Sequence, residues 1–182
     1  MEAESTATGG GPVPDEQWRV LPVVSFDLGS PWLVDEPVTE RGPEWFSATI
    51  HNPEVPSARI EWRHGYVTEP LVVEQLQRAR EGFDIDADTL EFHDMTDELG
   101  LDPATEGSGT QFFTAGGEVV VAQTIMDLQV GGTLEVLATL VAGFDDFEKL
   151  TEDYFAMLGS IELAEGLVPP INEILIASTS EQ

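Results

Sequence analysis

The chain has 182 residues, with 35 Asp and Glu against 7 Lys and Arg, and its formal net charge is −28. A field of this sign repels nucleic acid phosphates and anionic membrane surfaces, so DNA, RNA and acidic lipid are excluded as default partners. The chain has no cysteine, which excludes disulfides, thiol nucleophiles and cysteine-ligated metals. The hydrophobic content of 41% predicts an ordinary globular core.

The acidity has two interpretations, a solvated surface adapted to high salt or a dedicated acidic binding patch. Lys149 is the only lysine, and arginine supplies the other six positive charges. Because carboxylates hold water and lysine is nearly absent, the salt-adapted surface is favoured. Such a surface repels itself at low ionic strength, and salt relieves the repulsion within a short Debye length.

The chain divides into a domain and two tails. Residues 1–17 are acidic and Gly-rich, without the basic and apolar regions of a secretory signal, and predict a disordered tail. No apolar run reaches the roughly 20 residues that span a bilayer. We expect a single domain over 18–165, a C-terminal extension over 166–182, and a soluble, cytoplasmic protein. A mature form cut from a longer precursor would have the same features.

Alternating or β-branched residues predict short strands in the first half of the chain. They lie at 19–29, 32–34, 44–51, 58–67 and 89–95. A helix begins near Pro70, which suits a first turn, and its apolar residues recur at helical spacing up to Gly82. The polar residues 97–109 predict a loop.

The second half predicts three strands joined by two glycine turns. GTQFFTAGGEVVVAQTIMDL forms a hairpin turned at Gly116-Gly117, and Gly131-Gly132 leads into TLEVLATLVAG. Sequential hairpins of this kind form an antiparallel meander. A final apolar piece, INEILIA, follows two prolines and is expected to pack on its own domain, with docking on a partner as the alternative.

An amphipathic helix follows the meander. Asp145 with Glu148 makes the acidic form of a capping box at its start, and Gly159-Ser160 ends it before a short strand. Its apolar face consists of Phe147, Leu150, Tyr154 and Leu158. The element order predicts an α+β fold: a mainly antiparallel sheet with helices packed on its faces.

The stretch from Gln111 to Leu163 resembles the PsbP-like α/β/α sandwich family, which includes DcrB and LpqN-type proteins. The resemblance rests on the long hairpin, the strand TLEVLATLVA, the helix opening DDFEKL and the exit MLGSIEL. VSFDLGSPWLV is similar to the strand and turn that open these domains.

The resemblance implies a binding or assembly role. Members of the family serve as accessory subunits, envelope lipoproteins or chaperones for secretion cargo, and most characterised members are not enzymes. The chain lacks the signal and lipidation cysteine of the lipoproteins, which favours a cytoplasmic adaptor.

The sequence contains no metal or cofactor signature. His51, His64 and His93 have no ligand-type spacing, and surface or edge-strand positions are expected for them. FDIDADTLE, residues 83–91, places acids at alternate positions like a calcium loop. It lacks the central glycine and the bidentate glutamate, so a solvated turn is favoured.

No catalytic residue is predicted. Ser108 lies between two glycines in the predicted loop, without the strand and helix that flank a nucleophile elbow, and a flexible linker is favoured. The enzyme alternative is a small hydrolase-like site that uses His64 or His93 as acid or base.

Four residues are candidates for binding a partner: Trp45, Trp62, Arg59 and Arg63. Tryptophan is enriched in binding surfaces because it buries a large area and keeps one polar group. Five of the seven basic residues lie between Arg41 and Arg80, so this region is the least negative part of the surface. The alternative interpretation is that both sheet faces are covered and the tryptophans are core.

These observations lead to one favoured function and two alternatives. The favoured function is a non-enzymatic protein-binding module, of adaptor or chaperone type, connected with secretion or with assembly of a larger complex. A structural subunit of a complex and the hydrolase-like enzyme are the alternatives.

Overall fold

The fold is built around one large antiparallel sheet. The computed structural model describes residues 19–35, 45–67, 72–129, 133–168 and 177–178. The strands in these ranges are β1 (Arg19–Phe26), β2 (Leu33–Val34), β3 (Trp45–His51), β4 (Arg59–Val67), β5 (Glu91–Asp94), β6 (Gly107–Ala115), β7 (Val119–Gln129), β8 (Thr133–Gly143), β9 (Glu162–Val168) and β10 (Ala177–Ser178). The helices are α1 (Val72–Ala79) and α2 (Phe144–Gly159).

Seven strands form the large sheet in the order β2-β3-β4-β8-β7-β6-β5, and neighbouring strands are antiparallel throughout. The predicted meander is confirmed as β6, β7 and β8. Gly116 and Gly117 turn its first hairpin with positive φ, which glycine adopts without steric cost. The sheet and its two helices confirm the predicted α+β class, and their layers form an α/β sandwich.

α2 covers one face of the meander. Its buried residues are Leu150, Tyr154, Met157 and Leu158. The Tyr154 hydroxyl reaches into the sheet, 2.8 Å from Ala138 O and 2.9 Å from Thr124 Oγ1. These contacts satisfy the hydroxyl of a fully buried ring. The buried residues confirm the predicted apolar stripe of the helix.

α1 lies on the opposite face of the sheet, over β6 and β7. Leu76 is buried there, and two buried glutamines of the sheet complete the attachment. Gln111 Nε2 donates to Leu76 O and Gln123 Nε2 donates to Ala79 O, both at 2.7 Å. Leu76 O also accepts from the Arg80 amide at 3.2 Å, whereas Ala79 belongs to the last helical turn, whose carbonyls lack intrahelical partners. Gln123 therefore caps the helix, and both glutamines hold it on the sheet.

Replacing Gln123 with alanine is expected to lower the free energy of unfolding by about 1–3 kcal/mol, because Ala79 O loses its partner in a partly buried place. Gln111 would also lose the 2.7 Å bond that its amide donates to Gln123 Oε1. Hydrogen exchange of the α1 amides measures the local effect. The exposed Gln77 of the same helix supplies the control, and equal exchange in Gln77→Ala and Gln123→Ala would contradict the capping role.

A second sheet of three strands, in the order β10-β1-β9, packs beside α2. Phe26 of β1 stacks on Trp62 with ring centroids 4.6 Å apart, and the Asp27 amide donates to Ser160 Oγ at 2.7 Å, just after α2.

β9 crosses the boundary predicted at residue 165, and residues 177–178 pair in parallel with β1. The predicted tail 1–17 lies outside the described residues.

Two local predictions are wrong. The predicted loop 97–109 ends earlier, because β7 extends far enough to give Gly107–Gly109 strand partners. The predicted cap at Asp145 is also absent. β8 continues directly into α2, so Gly143 occupies the N-cap position and makes no side-chain capping bond. Asp145 instead lies in the first turn, where a negative charge suits the helix dipole.

Candidate functional site

His64 is a core residue, which corrects the prediction of a surface or edge-strand position. Its side chain is 2% exposed, and Trp62 Nε1 donates to His64 Nδ1 at 2.8 Å. Burial lowers the pKa of His64 to about 4. The imidazole is therefore neutral near pH 7, because its charged form would lose its hydration.

The other two histidines lie on different strands and do not converge with His64. His51 Nδ1 lies 2.6 Å from the Asp35 carboxylate, and His93 is exposed on β5 with Nε2 3.7 Å from Glu91. Within the described ranges, no group of three or more His, Cys, Asp or Glu is arranged to hold a metal ion.

The calcium-like segment is a structural turn. Asp86 Oδ2 accepts hydrogen bonds from Thr114 Oγ1 at 2.7 Å and from the Gly117 amide at 3.1 Å. Thr89 Oγ1 donates to Asp86 O at 2.9 Å. The Asp86 carboxylate is therefore bound to donors of the protein itself, and through these bonds the segment fixes the tip of the β6–β7 hairpin.

The four candidate partner-binding residues lie in different environments. Trp62 is 1% exposed, and its ring belongs to the core under α2, as in the alternative interpretation. Arg59 is exposed and pairs with Glu61 at 2.8 Å. Trp45 pairs with Gly65 through its backbone, while its side chain lies outside the described part.

Arg63 lines a shallow groove of mixed polarity on the face of β3, β4 and β8 opposite α2. The groove has a volume of about 320 Å³, and its other side chains include Ser47, Thr49, Glu61, Leu137 and Thr139. α1 covers β6 and β7 on this face, so the groove lies beside the helix.

A buried carboxylate pair lies further along the same face. Asp127 and Glu135 are cross-strand partners on β7 and β8, and their exposures are only 6% and 4%. Among the described residues, Asp127 Oδ1 and Glu135 Oε2 have no hydrogen-bond partner. Burial raises the pKa of Asp127 to about 6. Burial and the Asp127 charge raise the pKa of Glu135 to about 7, although Arg63 and Arg78 oppose the shift.

A second groove, the apolar groove, lies between α1 and the edge strand β5. It has a volume of about 210 Å³ and is lined by Val73, Leu76, Gln77, Arg80, Leu90, Phe92 and Gln111. Leu76 is buried, whereas Val73 is 61%, Leu90 41% and Phe92 55% exposed. Large apolar side chains that cluster while exposed indicate an interaction site.

The apolar groove borders an acidic region. β5 carries Glu91 and Asp94, and the next turn adds Asp97 and Glu98. Hydrogen bonds from the Thr96 side chain and amide lower the pKa of Asp94, so this carboxylate stays ionised. All four side chains of β5 are exposed.

No protein-family model matches the chain, and no curated protein matches it. The described helices include none that is long and apolar enough to cross a membrane.

The apolar groove and the carboxylate pair contain the residues that sequence reasoning missed. The alternation of Leu90 and Phe92 predicts a shared face, but it does not show that the face is exposed. Asp127 and Glu135 each interrupt an apolar strand at equal distance from Gly131. That symmetry about a hairpin turn was the available signal for a cross-strand pair.

Proposed function

We propose that the chain is a non-enzymatic protein-binding module of the adaptor or chaperone type, built on a PsbP-like α/β/α sandwich. The apolar groove carries this proposal. The large apolar side chains exposed in the described part are Leu33, Val73, Leu90, Phe92 and Phe144. Three of these five line the same groove. A connection with secretion or complex assembly and a cytoplasmic location belong to the same proposal.

The size of the groove favours a transient partner over the structural-subunit alternative. A volume of about 210 Å³ accommodates one or two side chains. Permanent subunit interfaces commonly bury about 2,000 Å² or more of apolar-rich surface. A small pocket with an aromatic wall instead suits the anchor side chain of a peptide segment.

The enzyme alternative receives no support from the two histidines named for it. His64 is neutral in the core, and His93 is exposed on an edge strand at a distance from the buried carboxylate pair in the sheet order. An acid–base mechanism requires the proton-transferring groups to be within reach of one substrate.

Replacing Phe92 with serine is expected to weaken binding of peptide ligands about tenfold or more, because the anchor would lose the wall of its pocket. The ligands are selected from a display library of random linear peptides on the wild-type protein. Their affinities for the wild type and the variant are then measured by fluorescence polarisation.

Phe144→Ser is the matched control, because Phe144 is 53% exposed and does not line the groove. It should keep the wild-type affinity. Circular dichroism and thermal unfolding establish that both variants fold. Peptides that bind Phe92→Ser as tightly as the wild type, or a library that yields no ligand, would refute the proposal.

A further inference from the structure

Resting on the proposed function, we propose that the partner is a basic, extended peptide segment that adds a strand outside β5 and packs an apolar side chain against Phe92 at the rim of the apolar groove. Three features of the edge support this mode of binding: its position in the sheet, the direction of its main-chain groups and its charge.

β5 is the terminal strand of the large sheet, and it pairs with β6 alone among the described strands. Its partner residues run from Glu91↔Phe112 to Asp94↔Gly109, so one side of the strand is occupied. On its other side the strand has no partner in the part of the chain that the structure describes, so its main-chain donors and acceptors are open to a further strand there. An unpaired strand edge is a template for a further strand.

The hydrogen-bond pattern identifies which groups face outward. The Met95 amide donates to Ser108 O at 3.0 Å, toward β6. In an antiparallel ladder successive residues alternate between the two sides, so Phe92 and Asp94 direct their main-chain groups to the open side. A strand added there would exchange hydrogen bonds with Phe92.

The side chain of Phe92 connects this edge to the groove. Phe92 lines the groove together with Leu90, which lies two residues earlier on the same face, and with Val73 of α1. A residue of the added strand beside Phe92 would project onto this face, since neighbouring strands align their side chains in register. Its side chain would then contact the outer side of the Phe92 ring, at the rim of the apolar groove, because α1 lies on the other side of that ring over β6 and β7.

The charge of the edge selects a basic partner. Glu91 and Asp94 are the first and last residues of the open strand, Asp97 and Glu98 follow it, and the whole chain carries a net charge of −28. A second copy paired through β5 would bring carboxylates of two chains together, which is unfavourable. Arg80, the cation in the groove lining, is bound to Gln111 Oε1 at 3.3 Å.

Acidic residues on an edge also protect a protein from aggregation, because they repel other copies of the same edge. The apolar groove beside β5 is not needed for such protection. The combination therefore admits a strand of opposite charge while excluding a strand of the same charge.

The test uses three synthetic peptides. The first alternates lysine with valine or leucine. The second has glutamate in place of each lysine. The third repeats the first but carries N-methyl groups on alternate residues, which prevents strand pairing and preserves its charge. Binding is measured by fluorescence polarisation at several salt concentrations, and hydrogen exchange is followed at the amides of Phe92 and Asp94.

The lysine peptide should bind and slow exchange at Phe92 and Asp94 about tenfold or more. The N-methylated peptide should bind at least about tenfold more weakly, and the glutamate peptide should not bind. Equal binding of the lysine and N-methylated peptides would overturn strand addition, because attraction by charge alone would then explain the affinity.

Two further outcomes separate this inference from the proposed function. If Phe92→Ser abolishes binding of the library-selected peptides but no peptide slows exchange along β5, strand addition is wrong and the groove remains a binding site. If exchange at Phe92 slows with protein concentration in the absence of peptide, the occupant is a second copy, and the basic partner is overturned.

Discussion

Replacing Trp62 with alanine is expected to lower the free energy of unfolding by about 3–5 kcal/mol, the usual cost of deleting a buried aromatic side chain. The Trp62 ring is 1% exposed and packs against Phe26. Its Nε1 group also supplies the hydrogen bond to His64 Nδ1, which the substitution would leave without its indole donor. Urea denaturation measures the loss.

Glu61→Ala is the control for this substitution. Glu61 is the neighbouring residue on β4 and is exposed, and its pairing with Arg59 lies at the surface. Surface changes of this kind usually stay within about 0.5 kcal/mol. A loss below about 1 kcal/mol in Trp62→Ala would show that the ring is not a core residue. Since the expected loss is much larger, absence of binding in Trp62→Ala would report on folding, and Phe92 is the better probe of a binding surface.

Replacing Glu135 with glutamine is expected to stabilise the protein by about 2 kcal/mol near about pH 8 and to change little near about pH 5. The folded-state pKa of Glu135 is raised to about 7 from the ordinary 4.5. Between these values the folded protein binds more protons than the unfolded chain. The contribution of Glu135 is therefore most favourable below its unfolded pKa and is lost as the pH rises through about 7.

Urea denaturation at both pH values tests this prediction, and Glu148→Gln on the exposed side of α2 is the control. The groups that act on Glu135 are Asp127 on β7, Arg63 on β4 and Arg78 on α1. The control should leave the pH dependence intact between about pH 5 and pH 8. Equal stabilisation by Glu135→Gln at both pH values, or destabilisation at the higher value, would contradict a strained carboxylate pair.

His64 contributes with the opposite sign. Its folded-state pKa is lowered to about 4 from 6.5, so its contribution is present above 6.5 and is lost as the pH falls through about 4. The carboxylate pair therefore lowers the free energy of unfolding at high pH, and the buried imidazole lowers it at low pH.

The parts of the fold that follow from local signals were predictable. The two glycine pairs in the sequence predict that β6, β7 and β8 are antiparallel neighbours, because short connections between strands favour hairpins. The pairing of β4 with β8 had no such signal, since the two strands are far apart in sequence. The small sheet of β1, β9 and β10 was missed for the same reason.

The site was less predictable because alternation shows which side chains share a face and not what covers that face. Trp62 and Phe92 both belong to alternating strands. α2 and the small sheet cover Trp62, whereas α1 covers β6 and β7 and leaves Phe92 on β5 exposed. Trp62 is therefore buried in the core, and Phe92 is exposed at the surface.

The small sheet also determines how the molecule would respond to force. Arg19 at the start of β1 pairs with Val168 at the end of β9, so these two residues form the last pair at one end of the antiparallel ladder. A pull applied between these two residues would load one rung of the ladder at a time. The hydrogen bonds between β1 and β9 would break one after another at low force, and the large sheet would be strained only after β1 had separated.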